Sequence, residues 1–332
     1  MKKWRCLVEI GKSSYLRAMN LREITCYSPS CDRNVVQNEE GFVATIGFFD
    51  GVHRGHMHLL AQLWKVAQQR SMRPLVITFD VHPRQVLHAD FQPQLLTSLD
   101  EKVRLIRGLG FEEIAVLQFS KEMAALSPLA FMREILCKQL SVSVLLMGYD
   151  HRFGHGGGTL EEYKRWGNEV GIQVLTAERM PGEKVSSSVV RNMLIEGNVD
   201  AARKLLGRPY EVSGVVVHGK ALGRQIGFPT ANVSLKPAIL CPKTGVYAVR
   251  VRLEDDSLHN GMLCVGSRPT LEDGRGQTIE VHLFDYEGDL YGKSLTIAFH
   301  AFLREEMKFD SVSDLQNQLS VDKCLSERLL NV

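Results

Sequence analysis

Phe42-Val43-Ala44-Thr45-Ile46-Gly47-Phe48-Phe49-Asp50-Gly51-Val52-His53-Arg54-Gly55-His56 is an apolar run that meets a glycine turn and then a helix start. A short apolar run bounded by turn residues reads as a buried strand. Residues 55–70, with Leu60, Leu63, Trp64 and Ala67 on one face, read as the helix that follows it. The same unit recurs downstream. Strands are predicted at 74–79, 114–117, 142–147 and 173–175. Helices are predicted at 100–108 with Asp100 as N-cap, from Ser127-Pro128 to about 140, and near 160–170. Strands alternating with helices imply a doubly wound, Rossmann-like parallel sheet covered on both faces.

The pattern changes at Gly207-Arg208-Pro209. Beyond it, β-forming runs at 210–217, 246–253, 261–265, 278–284 and 294–299 are separated by turn residues at short spacing. That spacing predicts a small antiparallel β-barrel. Residues 311–330 then read as a C-terminal helix with Val312, Leu315 and Leu319 on one face. The expected fold class is therefore α/β followed by β. The chain divides into an N-terminal extension (1–39), an α/β domain (40–206) and a barrel domain (207–332). The extension shows no clear periodicity, and residues 1–18, ahead of Met19, read as loosely held.

Bulk composition narrows the function classes. The chain has 332 residues, 44% hydrophobic and 23% charged, with a formal net charge of +2. Such a balance argues against a general nucleic-acid or membrane partner while leaving room for local basic pockets. Cys6, Cys26, Cys31, Cys137, Cys241, Cys264 and Cys324 form no CxxC pair, which fits reduced thiols in a cytoplasmic protein rather than a zinc site. No apolar run reaches the ~20 residues of a membrane-spanning helix. Oligomeric state stays open between a monomer and weak self-association.

Two constellations carry chemistry. In the first, ligands of an open α/β sheet bind beyond the carboxyl ends of the strands. Gly47, Phe49, Asp50 and Gly55 lie at such an end, where a glycine turn and a helix start present backbone N–H groups to an anion. His53 and His56, three apart, share a face and can donate hydrogen bonds to ATP phosphates, stabilising charge on departing pyrophosphate. A lone histidine at a helix start would be an ordinary polar residue. A metal pair has no obvious third ligand nearby. Asp50 is either a helix-start cap or an organiser of phosphate or metal.

The second constellation is Gly219-Lys220-Ala221-Leu222-Gly223-Arg224-Gln225-Ile226-Gly227-Phe228-Pro229-Thr230-Ala231-Asn232. Gly219, Lys220, Gly223 and Arg224 form a glycine-rich basic loop able to wrap phosphates. The Thr230 hydroxyl and Asn232 carbonyl are hard oxygen ligands suited to Mg²⁺. A mobile surface hairpin without a ligand is the plain alternative. Two decoys fail. Gly11-Lys12-Ser13 lacks the first glycine of a Walker A loop, because Cys6 stands there. His155-Gly156-Gly157-Gly158 has no matching G-x-S-x-G nucleophile.

The first constellation resembles the H-x-G-H nucleotidyltransferases, specifically their bacterial FAD synthetase branch, and G-x-F-D-G-x-H-x-G-H is matched in full. Further segments agree in order: Thr78-Phe79-Asp80-Val81-His82-Pro83-Arg84; Gly148-Tyr149-Asp150-His151-Arg152-Phe153-Gly154; and Val185-Ser186-Ser187-Ser188-Val189-Val190-Arg191. His151 stands where that family usually has Phe, and Ser188 where it usually has Thr. The resemblance implies that Ser187, Ser188 and Arg191 engage the triphosphate and that Asp150 and Phe153 lie on the flavin or adenine side. The second constellation is similar to the G-x-P-T-A-N signature of riboflavin kinases. Thr244-Gly245-Val246-Tyr247, Glu280-Val281-His282-Leu283-Phe284-Asp285, Gly288-Asp289-Leu290-Tyr291-Gly292 and residues 303–309 agree with it. That resemblance implies Glu280 as general base and Arg304 on the flavin side. Together they imply a two-site transferase: riboflavin and ATP give FMN at the C-terminal site, FMN and ATP give FAD at the N-terminal one, with Mg²⁺ in attendance. From another class, a flavin carrier without turnover would have no reason to keep two ATP-type phosphate sites.

Overall fold

The computed structural model describes residues 24–27, 41–88, 90, 92, 94–149, 151–182, 184–219, 222–236, 238–267 and 277–331. The expectation for residues 1–18 lies outside them, as do Asp150 and Lys220. The chain forms two compact units, one of residues 1–93 and 99–184, the other of residues 94–98 and 185–332.

In the first unit, β1 (Ile24–Tyr27) precedes β2 (Phe42–Ile46), α1 (Arg54–Gln69), β3 (Arg73–Phe79), α2 (Pro83–Leu87), α3 (Leu99–Gly108), β4 (Ile114–Leu117), α4 (Lys121–Ala124), α5 (Pro128–Phe131), β5 (Val142–Met147), α6 (Leu160–Val170) and β6 (Gln173–Thr176). The sheet order is β1-β4-β3-β2-β5-β6. Pairs from β4 to β6 are parallel, and only β1 runs antiparallel, against β4. The order reverses around β2, so the 47–56 segment leaves the sheet at its switch point, where ligands of such sheets bind. Phe42, Ala44 and Ile46 pack into one buried cluster and Val43 into another, so β2 is covered on both faces.

Local chemistry sets the helix ends. Thr159 and Glu162 close a capping box on α6, and Gly171 ends it in the left-handed conformation at φ 80°. Ser127 caps α5 with Pro128 in its first turn, as expected, but the helix widens into a π-helical turn at Met132–Cys137 instead of running on as α. Asp100 lies inside the first turn of α3, which begins one residue earlier, and so is not the N-cap. Leu60, Leu63 and Ala67 are buried on α1, whereas Trp64 is partly exposed and meets the edge of Phe111.

The second unit opens with two helices, α7 (Ser187–Ile195) and α8 (Val199–Leu206). There follow β7 (Tyr210–Val217), the single turn α9 (Leu222–Gln225), β8 (Ala231–Leu235), β9 (Gly245–Arg252), β10 (Leu258–Ser267), β11 (Gln277–Leu283), β12 (Ser294–Arg304) and α10 (Val312–Leu330). The strands close as β10-β11-β8-β7-β12-β9, every pair antiparallel. Closure leaves no unpaired edge. Val190, Leu194, Val199, Ala202 and Leu206 share one buried cluster with Tyr210, Val212, Tyr247 and Phe299 of the barrel. On α10 the inward face is Asp322, Ser326 and Leu330, while Val312 stands exposed. No described helix is long and apolar enough to cross a membrane.

Candidate active sites

The N-terminal site is built on the turn between β2 and α1. The Gly47 N–H donates to the Ile77 carbonyl at 3.0 Å, holding the turn to β3. The chain then takes positive φ at Phe49 (55°), Gly51 (79°) and Val52 (41°). Glycine accepts that region readily, but a β-branched valine there is a genuine outlier. Phe49 is buried, with its ring against Gly47 and edge-on to His56 at 5.2 Å. Its side chain is thus a packing element of the turn. His53, not Asp50, is the N-cap of α1, and its Nδ1 accepts the His56 N–H at 3.3 Å. The two imidazoles stack at 3.7 Å between centroids and 14° between planes. Burial, then the neighbouring His53 and Lys102, hold His56 well below the usual imidazole range. It is therefore neutral at pH 7, and its Nδ1 is buried without a hydrogen-bond partner among the described residues. Asp50 is buried behind the turn.

One residue that sequence reading passed over belongs here. Lys102 of α3 is 2% exposed and donates to the Phe48 and Phe79 carbonyls at 2.9 and 3.0 Å. The signal was a lysine one position before Val103 and four before Ile106, on the face that those residues bury.

The other residues expected at the N-terminal site take these places. Phe153 sits in the core between Phe131 and Tyr163, its backbone N–H and carbonyl both bonded to the Tyr163 hydroxyl. His151 lies 6.2 Å from the Phe153 ring. Ser187 and Ser188 occupy the first turn of α7, capped by Ser186. Arg191 donates to the Gln94 carbonyl at 2.7 Å and to Ser188 Oγ at 3.5 Å. These last three belong to the second compact unit.

The C-terminal site lies at one mouth of the barrel. Asn232 of β8 stands directly opposite Glu280 of β11, and Thr230 Oγ1 donates to Glu280 Oε2 at 3.4 Å. Gly219 is so close that a Cβ on it would fall 2.0 Å from Asn232 Nδ2. Gly223 closes the loop on itself, its carbonyl accepting from Ile226 and Phe228 at 3.2 and 2.9 Å, and a Cβ there would strike the Phe228 carbonyl. Arg224 is exposed on α9. A pocket of about 270 Å³ opens beside these groups, lined by Phe228, Thr230, Cys264, Glu280, His282 and Arg304 among others.

Two further residues order this mouth. His282 Nδ1 donates to the Pro229 carbonyl at 2.7 Å, fixing the run that carries Thr230 and Asn232; burial holds this imidazole below its usual range. Arg304 is held by Asp322 of α10, with Nε to Oδ1 at 3.0 Å and Nη2 to Oδ2 at 2.7 Å, and Gln318 donates to the same carboxylate at 2.9 Å. His282 lies in the 280–285 run but had no role of its own in the sequence reading, and Asp322 looked like an ordinary helix residue. Among the described residues no cluster of three or more His, Cys, Asp or Glu could hold a metal ion. Any Mg²⁺ here would rest on the hydroxyl and amide oxygens together with substrate phosphates.

One unit carries a glycine turn at the switch point of a parallel sheet, and the other a glycine-rich loop beside a carboxylate, an arrangement suited to a phosphate-handling transferase. The FAD synthetase family matches residues 35–189 and the riboflavin kinase family residues 206–330. A Bacillus subtilis bifunctional riboflavin kinase/FMN adenylyltransferase is 36% identical over 85% of this chain and 90% of its own length. The Escherichia coli K12 protein of the same description is 38% identical over 86% and 91%. The chain belongs to this bifunctional family and is a transferase with riboflavin kinase and FMN adenylyltransferase activities. A crystal structure described as a macrolide-efflux protein from Streptococcus pneumoniae is also similar, with a TM-score of 0.78 and 31% identity over 86% of this chain and 94% of that one.

Proposed function

We propose that the two activities are carried by separate constellations, FMN adenylylation by the 47–56 turn and riboflavin phosphorylation by the Thr230–Asn232–Glu280 mouth. The observation that carries this reading is the register that sets Asn232 opposite Glu280 with Thr230 on the same carboxylate. A base and a hydroxyl then line a pocket large enough for a flavin's polar tail, with Asn232 directly opposite the base.

At the C-terminal site Glu280 accepts the proton of the ribityl terminal hydroxyl as that oxygen attacks the γ-phosphorus of ATP. Gly219, Lys220, Gly223 and Arg224 hold phosphates, and Arg304 faces the flavin. Thr230 and Asn232 would hold Mg²⁺, which when bound neutralises phosphate charge. At the N-terminal site the FMN phosphate is already ionised and needs no protein nucleophile. The turn and its two imidazoles position ATP for in-line attack on the α-phosphorus and stabilise the departing pyrophosphate. Ser187, Ser188 and Arg191 are phosphate ligands as well, and Asp150 and Phe153 serve the flavin or adenine side. Cytoplasmic residence and action without nucleic acid or membrane complete the reading.

The test is reciprocal. Glu280→Ala should abolish FMN formation from riboflavin yet leave FMN-to-FAD conversion, and His53→Ala should do the reverse, products being resolved by chromatography. Loss of both activities in a folded single variant would refute independent sites.

A further inference from the structure

Lys102 is buried where a lysine is costly, and the surroundings show what holds it. Its ammonium ties the Phe48 carbonyl, the first after Gly47 in the turn, to the Phe79 carbonyl at the end of β3. It lies 4.1 Å from the centroid of the Phe48 ring. Thr78 Oγ1 donates to the same Phe48 carbonyl at 3.2 Å. Next along the chain, Asp80 accepts the backbone N–H groups of Val81 and Phe119 at 2.8 and 2.9 Å, fixing the strand end to which the turn is tied. Burial pushes the Lys102 ammonium down to about 8, with the carboxylates of Asp50 and Asp80 opposing that shift. A methionine would fill the same apolar face without a desolvation cost.

The turn needs such a hold. Phe49 and Val52 sit in a backbone region that is unfavourable for non-glycine residues and persists only where neighbours over-determine it. Unrestrained, the segment would relax and its phosphate-facing geometry would scatter.

We infer that Lys102 is a positioning residue for adenylyl transfer: its ammonium pins the 47–52 turn to the end of β3, so that the loop is ordered before ATP arrives. The inference rests on the reading that this turn binds ATP phosphates. Lys102 touches carbonyl groups and not the reacting atoms, so its effect falls on kcat through geometry.

Full-length Lys102→Met and His53→Ala variants test it, each assayed for FMN adenylylation and for riboflavin phosphorylation. Lys102→Met should lower the adenylylation kcat about tenfold or more, with KM for FMN changed less than about threefold and the kinase activity unchanged. The wild-type adenylylation kcat should fall on the alkaline side with an apparent pKa near 8. Asp50, Asp80 and His56 are the titratable groups coupled to Lys102. The alkaline limb should be absent from the methionine variant. A kcat within twofold of wild type while His53→Ala is inactive would overturn the role of Lys102 alone. Retained adenylylation in His53→Ala would instead overturn the reading of the turn. If the methionine variant fails to fold, by near-UV dichroism of Trp64 and Trp166, the wild-type profile decides: a kcat flat to pH 9.5 overturns the inference.

Discussion

Replacing Asp322 with alanine should loosen the barrel unit and blunt the kinase together. The carboxylate is 3% exposed and its partner Arg304 17%. It accepts from Arg304 Nε and Nη2 and from Gln318 Nε2, so the substitution strands a guanidinium and one amide donor. Removing one partner of a buried pair costs about 3–5 kcal/mol. Arg304 keeps some access to water and still donates to the Glu305 carbonyl at 3.0 Å, so the lower end, about 3 kcal/mol, applies. With a urea dependence of about 2 kcal/mol per molar, the unfolding midpoint should drop by about 1.5 M. Hydrogen exchange of β9 and β12 peptides across a urea series isolates this unit within the intact chain. Riboflavin kinase assays without urea should show KM for riboflavin rising more than kcat falls, because Arg304 lines the pocket. Pairing Arg304→Met with Asp322→Leu should recover most of the lost stability, since a buried ion pair is often replaceable by apolar residues. A midpoint shift below about 0.3 M for Asp322→Ala would refute the reasoning.

Two other outcomes follow from the geometry. Gly219→Ala places a methyl 2.0 Å from Asn232 Nδ2. Only a side chain must move, so stability should change by less than about 1 kcal/mol, while riboflavin phosphorylation falls about tenfold and FMN adenylylation is unaffected. Because folding depresses the His56 pKa, the unfolded chain binds a proton below about pH 6.5 that the folded chain refuses. The N-terminal unit should therefore lose stability on acidification, by up to about 1.4 kcal/mol per pH unit. His56→Gln should reduce that slope in urea unfolding followed by Trp64 and Trp166 fluorescence.

Both architectures were legible in sequence because their signals are local. The run 42–46 is apolar apart from Thr45, whose buried hydroxyl donates to the Leu146 carbonyl, as suits a strand covered on both faces. Thr159 and Glu162 mark a helix start by themselves. What escaped depends on partners distant in the chain. β1 is four residues and owes its strand character to pairing with β4. β8 overlaps the Pro229-Thr230-Ala231-Asn232 run, whose loop-like composition hides a strand pinned between β7 and β11. α7 and α8 are short helices whose apolar faces have meaning only against the barrel core. At the sites, motif spacing singled out the two histidines, whereas Glu280 came only from the resemblance to riboflavin kinases. Lys102, His282 and Asp322 act through carbonyls and a guanidinium that tertiary folding alone brings to them.

The packing of the second unit bears on how its gene can be shuffled. Leu95 bridges Ile239, its N–H bonded to the Ala238 carbonyl and its carbonyl accepting from Leu240, and Leu96 lies in the same buried cluster as the barrel. Residues 94–98 thus belong to the barrel unit although the intervening residues 99–184 belong to the other. No single cut releases the barrel unit whole. A break at 206 discards Val190, Leu194, Val199, Ala202 and Leu206, and one at 184 still leaves Leu96 behind. Each fully buried side chain of valine or leucine size is worth about 1.5–3 kcal/mol. A freed kinase fragment therefore inherits a frayed core, and recombination that swaps one half for a foreign one must repair that seam before either catalyst works.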